Sequence, residues 1–459
     1  DRVGDQVHQN LPEAQRVSLD GLRHVAHEIK FKRQPFRQRL PAHHGDDFRQ
    51  QITRREADLF DLEPARFEMD EALEFGRRPF VKSGAVVATG EGFAACPGAS
   101  LSHAGTSRDG VDEAMFDSWG PVIEVWEGWA ADEAIRAAGS SGGAATALAL
   151  HCIDGGGMER VLHTAARRDV PYLNESVFST NRSELLARTG SRYAPASPCD
   201  RLAEAADLPG STVFIGKPCD AAAVTAARRG RDDIDEKIGC VIAFFCAGAP
   251  STRGTLAILE DAGITDPARL RSLRYRGNGW PGMWRAEFED EEGRHRVVER
   301  TYAESWGFVQ RYRQWRCYIC PDHTGEFADL GVGDPWYRDI EPGESGSSLI
   351  VVRTERGRRI LQEAVASGHI VLKKEDRSLL PRSQPNLLSI RGGLWARILV
   401  LGMFGAATPV YEGLPTFGAW WRHLGIVAKV RSFTGTVKRV FRKRLRRRQP
   451  MKRWSPPGR

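Results

Sequence analysis

From Gly84 onward the chain alternates short apolar runs with glycine-bearing turns and alanine-rich stretches of helical spacing. Ala137–Gly156, AAGSSGGAATALALHCIDGG, predicts a glycine turn opening a helix at Ala144 that Gly155 to Gly157 end. Ser211–Gly230, STVFIGKPCDAAAVTAARRG, repeats the pattern: a buried strand VFIG, a turn at Lys217 and Pro218, then a helix from Asp220. Lys237–Ser251, KIGCVIAFFCAGAPS, reads as a second apolar strand ending at Cys246 and Gly248. AEFEDEEGRHRVVERTY predicts a hairpin turning at Glu291 to Gly293, and Ser345–Gly368 a strand followed by a helix. Strands alternating with helices predict an α/β fold, a mixed sheet flanked by helices, with its ligand site at the strand ends.

Upstream, residues 1–85 are rich in Arg, Gln, His and Asp and carry no assignable domain. Within them Glu56–Phe75, EADLFDLEPARFEMDEALEF, has the spacing of an amphipathic helix. The remainder divides into residues 86–208 with the glycine turn, 209–380 with the cysteine motifs, and 381–459, an apolar segment and a basic helical tail. No internal repeat is present.

Charge separates the tail from the body. The formal charge is +7, but Arg422 to Arg459 hold fourteen Lys or Arg and no acid, so residues 1–421 carry +7 less 14, or −7. The apolar stretch Leu394–Val410 is interrupted by Arg397 and Pro409 and falls short of the ~20 residues of a spanning helix. In VAKVRSFTGTVKRVFRKRLRRR, Val430, Phe433, Val437, Val440, Phe441 and Leu445 fall near helical spacing among the cations. That stripe suits a helix lying on an anionic membrane and disfavours the rival partner, nucleic acid, which asks for charge alone. A disordered solubilising tail is the third option. Eight cysteines in 459 residues are too few for a disulfide scaffold, and no basic-plus-apolar leader opens the sequence. The expected place is the cytoplasm, peripheral to the inner membrane.

The candidate chemistry lies in the cysteines. Cys317 and Cys320 share one loop in WRCYICPDHTGEFADLGVGD, while Cys219 and Cys246 each follow an apolar strand beside Pro or Gly. Four thiolates from three loops suit a 4Fe-4S cluster and equally a tetrahedral zinc site. Cys152 and Cys240, in apolar runs, read as core residues. Cys96, in FAACPGASL, has the Cys-Pro ending of a ferredoxin ligand run without the cysteines that precede it.

Ser140, Ser141, Gly142 and Gly143 open a helix whose free N–H groups and dipole favour a phosphate, although a serine-capped helix would look the same. In RGNGWPG, Arg276 suits a phosphate or carboxylate, Asn278 a ring edge and Trp280 a flat heterocycle; a tight turn with a packed Trp is the alternative. Lys217 would be a cation beside Cys219, or a solvated surface lysine. Asp322 and Asp329 match turn residues better than a calcium loop, and Asp334 is the carboxylate to test as a ligand contact. His103 and His323 lie beside cysteine motifs without a required role.

Taken in order, SSGG-AATAL, FIGKPCD, FFCAGAPS, RGNGWPG and C-x-x-C-x-D before FADLGVGDPW resemble the beta subunit family of coenzyme F420 hydrogenases and dehydrogenases over roughly residues 90–375. The family includes formate dehydrogenase beta chains and a plant chlorophyll-pathway reductase. The resemblance implies an oxidoreductase, an iron-sulfur flavoprotein passing electrons or hydride between a 4Fe-4S cluster, FAD and coenzyme F420 or a similar acceptor. It puts Cys219, Cys246, Cys317 and Cys320 at the family's motif cysteines and Cys96 at its C-P-G cysteine, with the choice of four among five open. It also favours flavin phosphate at Ser140 to Gly143, with Thr146 assisting. The chain lacks the additional N-terminal ferredoxin-type cysteines of many members, and has Asp220 where many have Gln. A single cluster follows, fed directly by a catalytic subunit or by a soluble donor such as ferredoxin. A ferredoxin-dependent reductase without coenzyme F420 and a zinc-stabilised protein binding nucleic acid or lipid are the rival readings.

Overall fold

The apolar runs become the strands of one eight-stranded sheet in a computed structural model that describes residues 67–82, 91–341, 343–447 and 451–457. In chain order the strands are β1 (Glu124–Ala130), β2 (Arg160–Ala166), β3 (Asn174–Ser179), β4 (Thr212–Gly216), β5 (Ile238–Phe244), β6 (Leu330–Gly333), β7 (Ser348–Val352) and β8 (Ile370–Glu375). Their order across the sheet is β8-β1-β7-β6-β5-β4-β2-β3. The four central strands β6, β5, β4 and β2 run parallel, and the strands flanking them pair antiparallel. The sheet is therefore mixed and draws strands from both sides of position 208.

Alternation along each strand assigns the two faces. On one face Leu148 of helix α1 (Ala144–Asp154) packs with Val161, Val213 and Ile242 of the sheet, and so do Ile360 and Leu361 of the later helix Glu355–Ala366. Cys152 and Cys240 are buried in this core. On the other face Ala221 and Val224 of α2 (Pro218–Gly230) meet Leu162, Phe214 and Val241. Pro218 occupies the first turn of α2, where its missing N–H costs nothing, so the helix starts two residues before the predicted Asp220. The predicted hairpin forms as Met283–Glu289 against His295–Thr301, with Leu270–Arg274 added as a third antiparallel strand over a core around Trp284.

One expectation fails in the first part of the chain. Of Glu56–Phe75, residues 56–66 lie outside the described residues, and Phe67–Ala72 pairs with Gly76–Val81 as a β-hairpin instead of forming a helix. Gly76, at φ +72°, supplies the left-handed turn. The partners that favour the hairpin come from elsewhere in the chain: Arg77 pairs with Asp200, Arg453 with Glu68 and Asp70, and the Trp454 N–H donates to the Glu71 carbonyl. Such contacts override local periodicity.

Beyond the sheet, α3 (Leu394–Met403), α4 (Thr416–His423) and α5 (Ile426–Arg442) form a helical cap. Most of the apolar stripe predicted in the tail points inward: Phe433, Val437, Val440 and Leu445 pack with Val400, Leu401 and Ile319. Val430 and Phe441 stay exposed. No helix among the described residues is long and apolar enough to cross a membrane.

A buried ionic cluster joins this cap to the loop that follows the C-x-x-C pair. The Glu326 carboxylate receives Arg391 from the cap side and His103 Nε2 at 2.9 Å. Asp322 closes the same loop by accepting the N–H groups of Thr324, Gly325 and Glu326 at 2.8–3.0 Å. Arg353 spans from Thr324 to the carbonyls of Trp119 and Pro121. Burial works to raise the Glu326 pKa, but Arg391 and His103 outweigh it and hold the carboxyl at about 2, against an ordinary 4.5. A depressed carboxyl stabilises the fold fully above its unfolded pKa, and that contribution disappears as pH falls from 4.5 towards 2. Glu326→Gln should thus destabilise the protein by about 3–5 kcal/mol near neutral pH, the cost of leaving a buried cation without its partner. Urea unfolding checks this: the gap between variant and parent should narrow as the pH is lowered through that window.

Candidate functional site

Three parallel strands deliver their C-terminal ends to one place. A cavity of about 280 Å³, just below the usual size of ligand sites, is lined there by Ile215 and Lys217 at the end of β4, by Phe244 to Pro250 at and beyond the end of β5, and by Val332 to Asp334 at the end of β6. The glycine turn before α1 forms the facing wall, contributing Ser140, Ser141, Gly143 and Thr146.

The start of α1 departs from an ordinary capped helix. Its N-cap is Gly143, at φ +71°, and no side chain caps the first N–H groups. The two candidate serines are engaged elsewhere: Ser140 Oγ accepts the Ser191 N–H at 2.7 Å, and Ser141 Oγ lies 2.9 Å from Ser348 Oγ. The Gly142 N–H donates to Ser348 Oγ at 2.9 Å. A Cβ on Gly143 would stand 2.6 Å from the Ile135 carbonyl oxygen, so glycine is required there. Donors left free at a helix start that borders a cavity suit an anionic group.

Against the glycine turn, where it donates to the Ser140 carbonyl, Arg276 holds Asp334 in a bidentate pair at 2.7 and 2.9 Å, and the Trp280 indole N–H donates to the same carboxylate at 2.9 Å. Three residues expected to meet a ligand separately are thus bonded to one another. Arg276 and Asp334 line the cavity, whereas Trp280 sits behind them with its ring 5.8 Å from that of Trp336. Asn278 is exposed at φ +57° and serves the turn; it is not among the lining residues. Thr146 Oγ1 lies 3.2 Å from Thr189 Oγ1 on the cavity wall.

The thiols gather beside this cavity. Cys219 occupies the first turn of α2, Cys246 lies two residues past β5, and Cys317 and Cys320 belong to the 3-10 turn Trp315–Ile319 and its end. The Cys246 N–H donates to the His323 carbonyl at 2.9 Å while His323 Nδ1 lies 2.7 Å from the Cys246 carbonyl, which locks the two loops together. Cys219 feels the charges of Cys320 and Cys246, and Cys246 and Cys320 each feel that of Cys317. Burial pushes all four thiols up, Cys246 to about 12. All eight cysteines of the chain are free of disulfides.

Lys217 faces both neighbourhoods. It lines the cavity, and its Nζ lies 2.6 Å from Asp220 Oδ2 and 3.2 Å from the Ala196 carbonyl. Burial lowers its pKa, but Asp220 and the fields of Cys219 and Cys246 outweigh that, so the net direction is upward and the side chain stays a cation. Cys96 is exposed; the carbonyl of its neighbour Pro97 accepts from Arg316, next to Cys317, and its field reaches Cys199 and Arg78.

These residues fit the groups that the resemblance implies to different degrees. Among the described residues no three His, Cys, Asp or Glu side chains converge closely enough to hold one metal ion. A single zinc demands that convergence, whereas a cubane cluster takes its four thiolates at separate corners. The four half-buried thiols, on three neighbouring loops, suit separate corners of a cluster better than one shared ion. For a flavin, the uncapped helix start offers an anion site, and Tyr193, Tyr302 and Trp336 give the cavity flat aromatic walls.

Sequence reading missed several lining residues. Arg188, Thr189, Ser191 and Tyr193, in RTGSRY, and the aromatic pair Tyr302 and Trp336, stacked at 5.8 Å, all border the cavity. Gly190, at φ +125° inside that hexapeptide, was the available signal of a sharp turn. Tyr302 and Trp336 carried none, because each reads as a core aromatic. Cys199 was also unmarked; its Sγ contacts the Asp220 carbonyl at 3.7 Å.

Comparison with known proteins agrees with the sequence motifs. Residues 125–203 match the profile of the coenzyme F420 hydrogenase/dehydrogenase beta subunit N-terminal domain, and residues 210–378 that of the C-terminal domain. The F420-dependent formate dehydrogenase subunit beta of Methanocaldococcus jannaschii is 26% identical over 53% of this chain and 60% of its own length. The matched part of this chain thus spans less than two thirds of that relative. F420-dependent formate dehydrogenase 1 subunit beta of Methanococcus maripaludis is 24% identical over 65% of this chain and 72% of that subunit. A chain of the F420-reducing NiFe hydrogenase complex from Methanosarcina barkeri superposes with a TM-score of 0.47 at 21% identity, covering 61% of this chain and 94% of that one. With the two profiles together covering more than half of its residues, the chain belongs to the coenzyme F420 hydrogenase/dehydrogenase beta subunit family, whose members are subunits of oxidoreductases.

Proposed function

We propose that this chain is the electron-transferring subunit of a cytoplasmic oxidoreductase, with a 4Fe-4S cluster on Cys219, Cys246, Cys317 and Cys320 and FAD in the adjoining cavity. The observation that carries this reading is a shared wall: Cys246 and Lys217 line the cavity and also stand in the field of the other thiols. When bound, such a cluster supplies single-electron transfer, and a flavin couples it to a two-electron hydride step. Its partners are a catalytic subunit or ferredoxin on one side and coenzyme F420 or a similar acceptor on the other.

The chain's own residues supply binding and electrostatics. The open N–H groups of α1 and the Thr146 hydroxyl suit the flavin phosphates, and Tyr302 and Trp336 enclose the ring system. Lys217 favours added negative charge on either group, and Asp220 offsets that cation at 2.6 Å. The Arg276–Asp334 pair ties the end of β6 to the turn before α1 without adding net charge. Cys96, the one exposed thiol of the five candidates, is left out of the proposed ligand set.

Three outcomes test this. Anaerobically purified protein should show broad visible absorption, contain iron and release flavin, and Cys219→Ala or Cys320→Ala should remove iron while Cys96→Ala retains it. Colourless protein carrying one zinc would overturn the proposal. Ala145→Asp adds an anion at the first turn of α1, where the dipole favours it, so the fold should be kept while bound flavin falls about tenfold or more, as repulsion of ~1.4 kcal/mol requires. Asp220→Asn should uncover the Lys217 charge and move the midpoint potential upwards in a dye-mediated titration. Anaerobic assays with reduced coenzyme F420 and with reduced ferredoxin then distinguish the acceptors; turnover with ferredoxin alone removes coenzyme F420 from the function.

A further inference from the structure

We propose that the corner between α4 and α5 docks on an anionic lipid bilayer. The face the sequence offers for this, the stripe through Phe433, Val437, Val440 and Leu445, is occupied by the protein's own core. A second apolar surface is left uncovered. Phe417 and Trp421, one turn apart on α4, are 52% and 64% exposed, and Ile426, Val427 and Val430 at the start of α5 are 81%, 63% and 55% exposed. Scattered exposed hydrophobes need no explanation, but five large ones on one helix-turn-helix corner do.

This surface is anchored from beneath. Trp395 of α3 packs its ring against Phe417 at 5.0 Å, Trp420 at 4.8 Å and Phe433 at 5.8 Å, which sets the corner on a fixed base. The apolar tips project as rigid parts of the fold, so docking requires no helix to unpack.

Charge selects the occupant. Lys429 Nζ lies 4.3 Å over the Trp421 ring, placing a cation at the edge of the apolar patch, and Arg422 and Arg431 are exposed beside it. No Asp or Glu follows Glu412 in the sequence, so residues 413–459 add only positive charge. Arg422 has one acidic neighbour across the surface, Asp117 at 2.9 Å. Trp and aliphatic tips with interleaved Lys and Arg match the interfacial zone of a bilayer, where indoles sit at headgroup depth and cations meet anionic lipid. The surface shares no residue with the lining of the cavity.

Deleting the helix would strip Val440 from the core, so the test uses exposed positions in the full chain. Flotation with phosphatidylcholine vesicles, with and without phosphatidylglycerol, should show the parent rising only with anionic vesicles and less so at high salt. Trp421→Ser with Ile426→Ser and Val427→Ser should lower vesicle binding tenfold or more with unchanged thermal stability. Lys429→Glu with Arg431→Glu should do the same through charge. A parent that stays at the bottom of the gradient, a triple variant that floats like the parent, or binding confined to an acidic protein partner would each overturn the proposal.

Discussion

Burying a charge is tolerable only when its partner is buried with it, and that constraint organises the loop after the C-x-x-C pair. Glu326 can remain ionised in the interior because Arg391 and His103 arrive from segments more than sixty and two hundred residues away. Asp322 accepts only backbone N–H groups, whereas Asp329 accepts the Val241 N–H at 2.9 Å, tying the loop to β5, and the Thr354 hydroxyl at 2.7 Å. These bonds hold the loop that follows Cys317 and Cys320 against the strand ends where Cys246 lies.

The cavity follows from sheet topology. Parallel β4, β5 and β6 finish on the same edge, and the turn into α1 closes that edge from β1, which enters the sheet beyond β7. Strand ends bring backbone and small residues, so the remaining wall must be supplied by aromatic side chains from other parts of the chain.

Local signals were legible in the sequence and long-range ones were not. The turn into α1, the turn at Lys217 before α2 and the Asp290–Arg294 hairpin turn all depend on the residues that form them, so composition and spacing revealed them, although α2 starts two residues earlier than expected. The Arg276–Asp334 pair joins positions 58 residues apart, and both members looked like independent ligand contacts until the fold brought them together. Phe67–Ala72 had helical spacing but is held as a strand by remote partners, and the tail's stripe had the spacing of a membrane face but meets Val400 and Leu401 first. The cysteine motifs were recognisable because paired thiols beside Pro and Asp make poor core material; the aromatic walls were not, because an aromatic side chain reads first as core.

The helical cap also bears on how the molecule is assembled. Ile319 packs under Val400, Leu401 and Val440, and the Tyr318 carbonyl accepts from Arg397 at 2.6 Å, so the outer side of the cysteine loop is covered by residues translated after the whole eight-stranded sheet. A chain emerging from the ribosome in that order exposes this side until the final helices dock. The cap is thus the last layer laid over this loop, after the sheet and its strand-end cavity are complete.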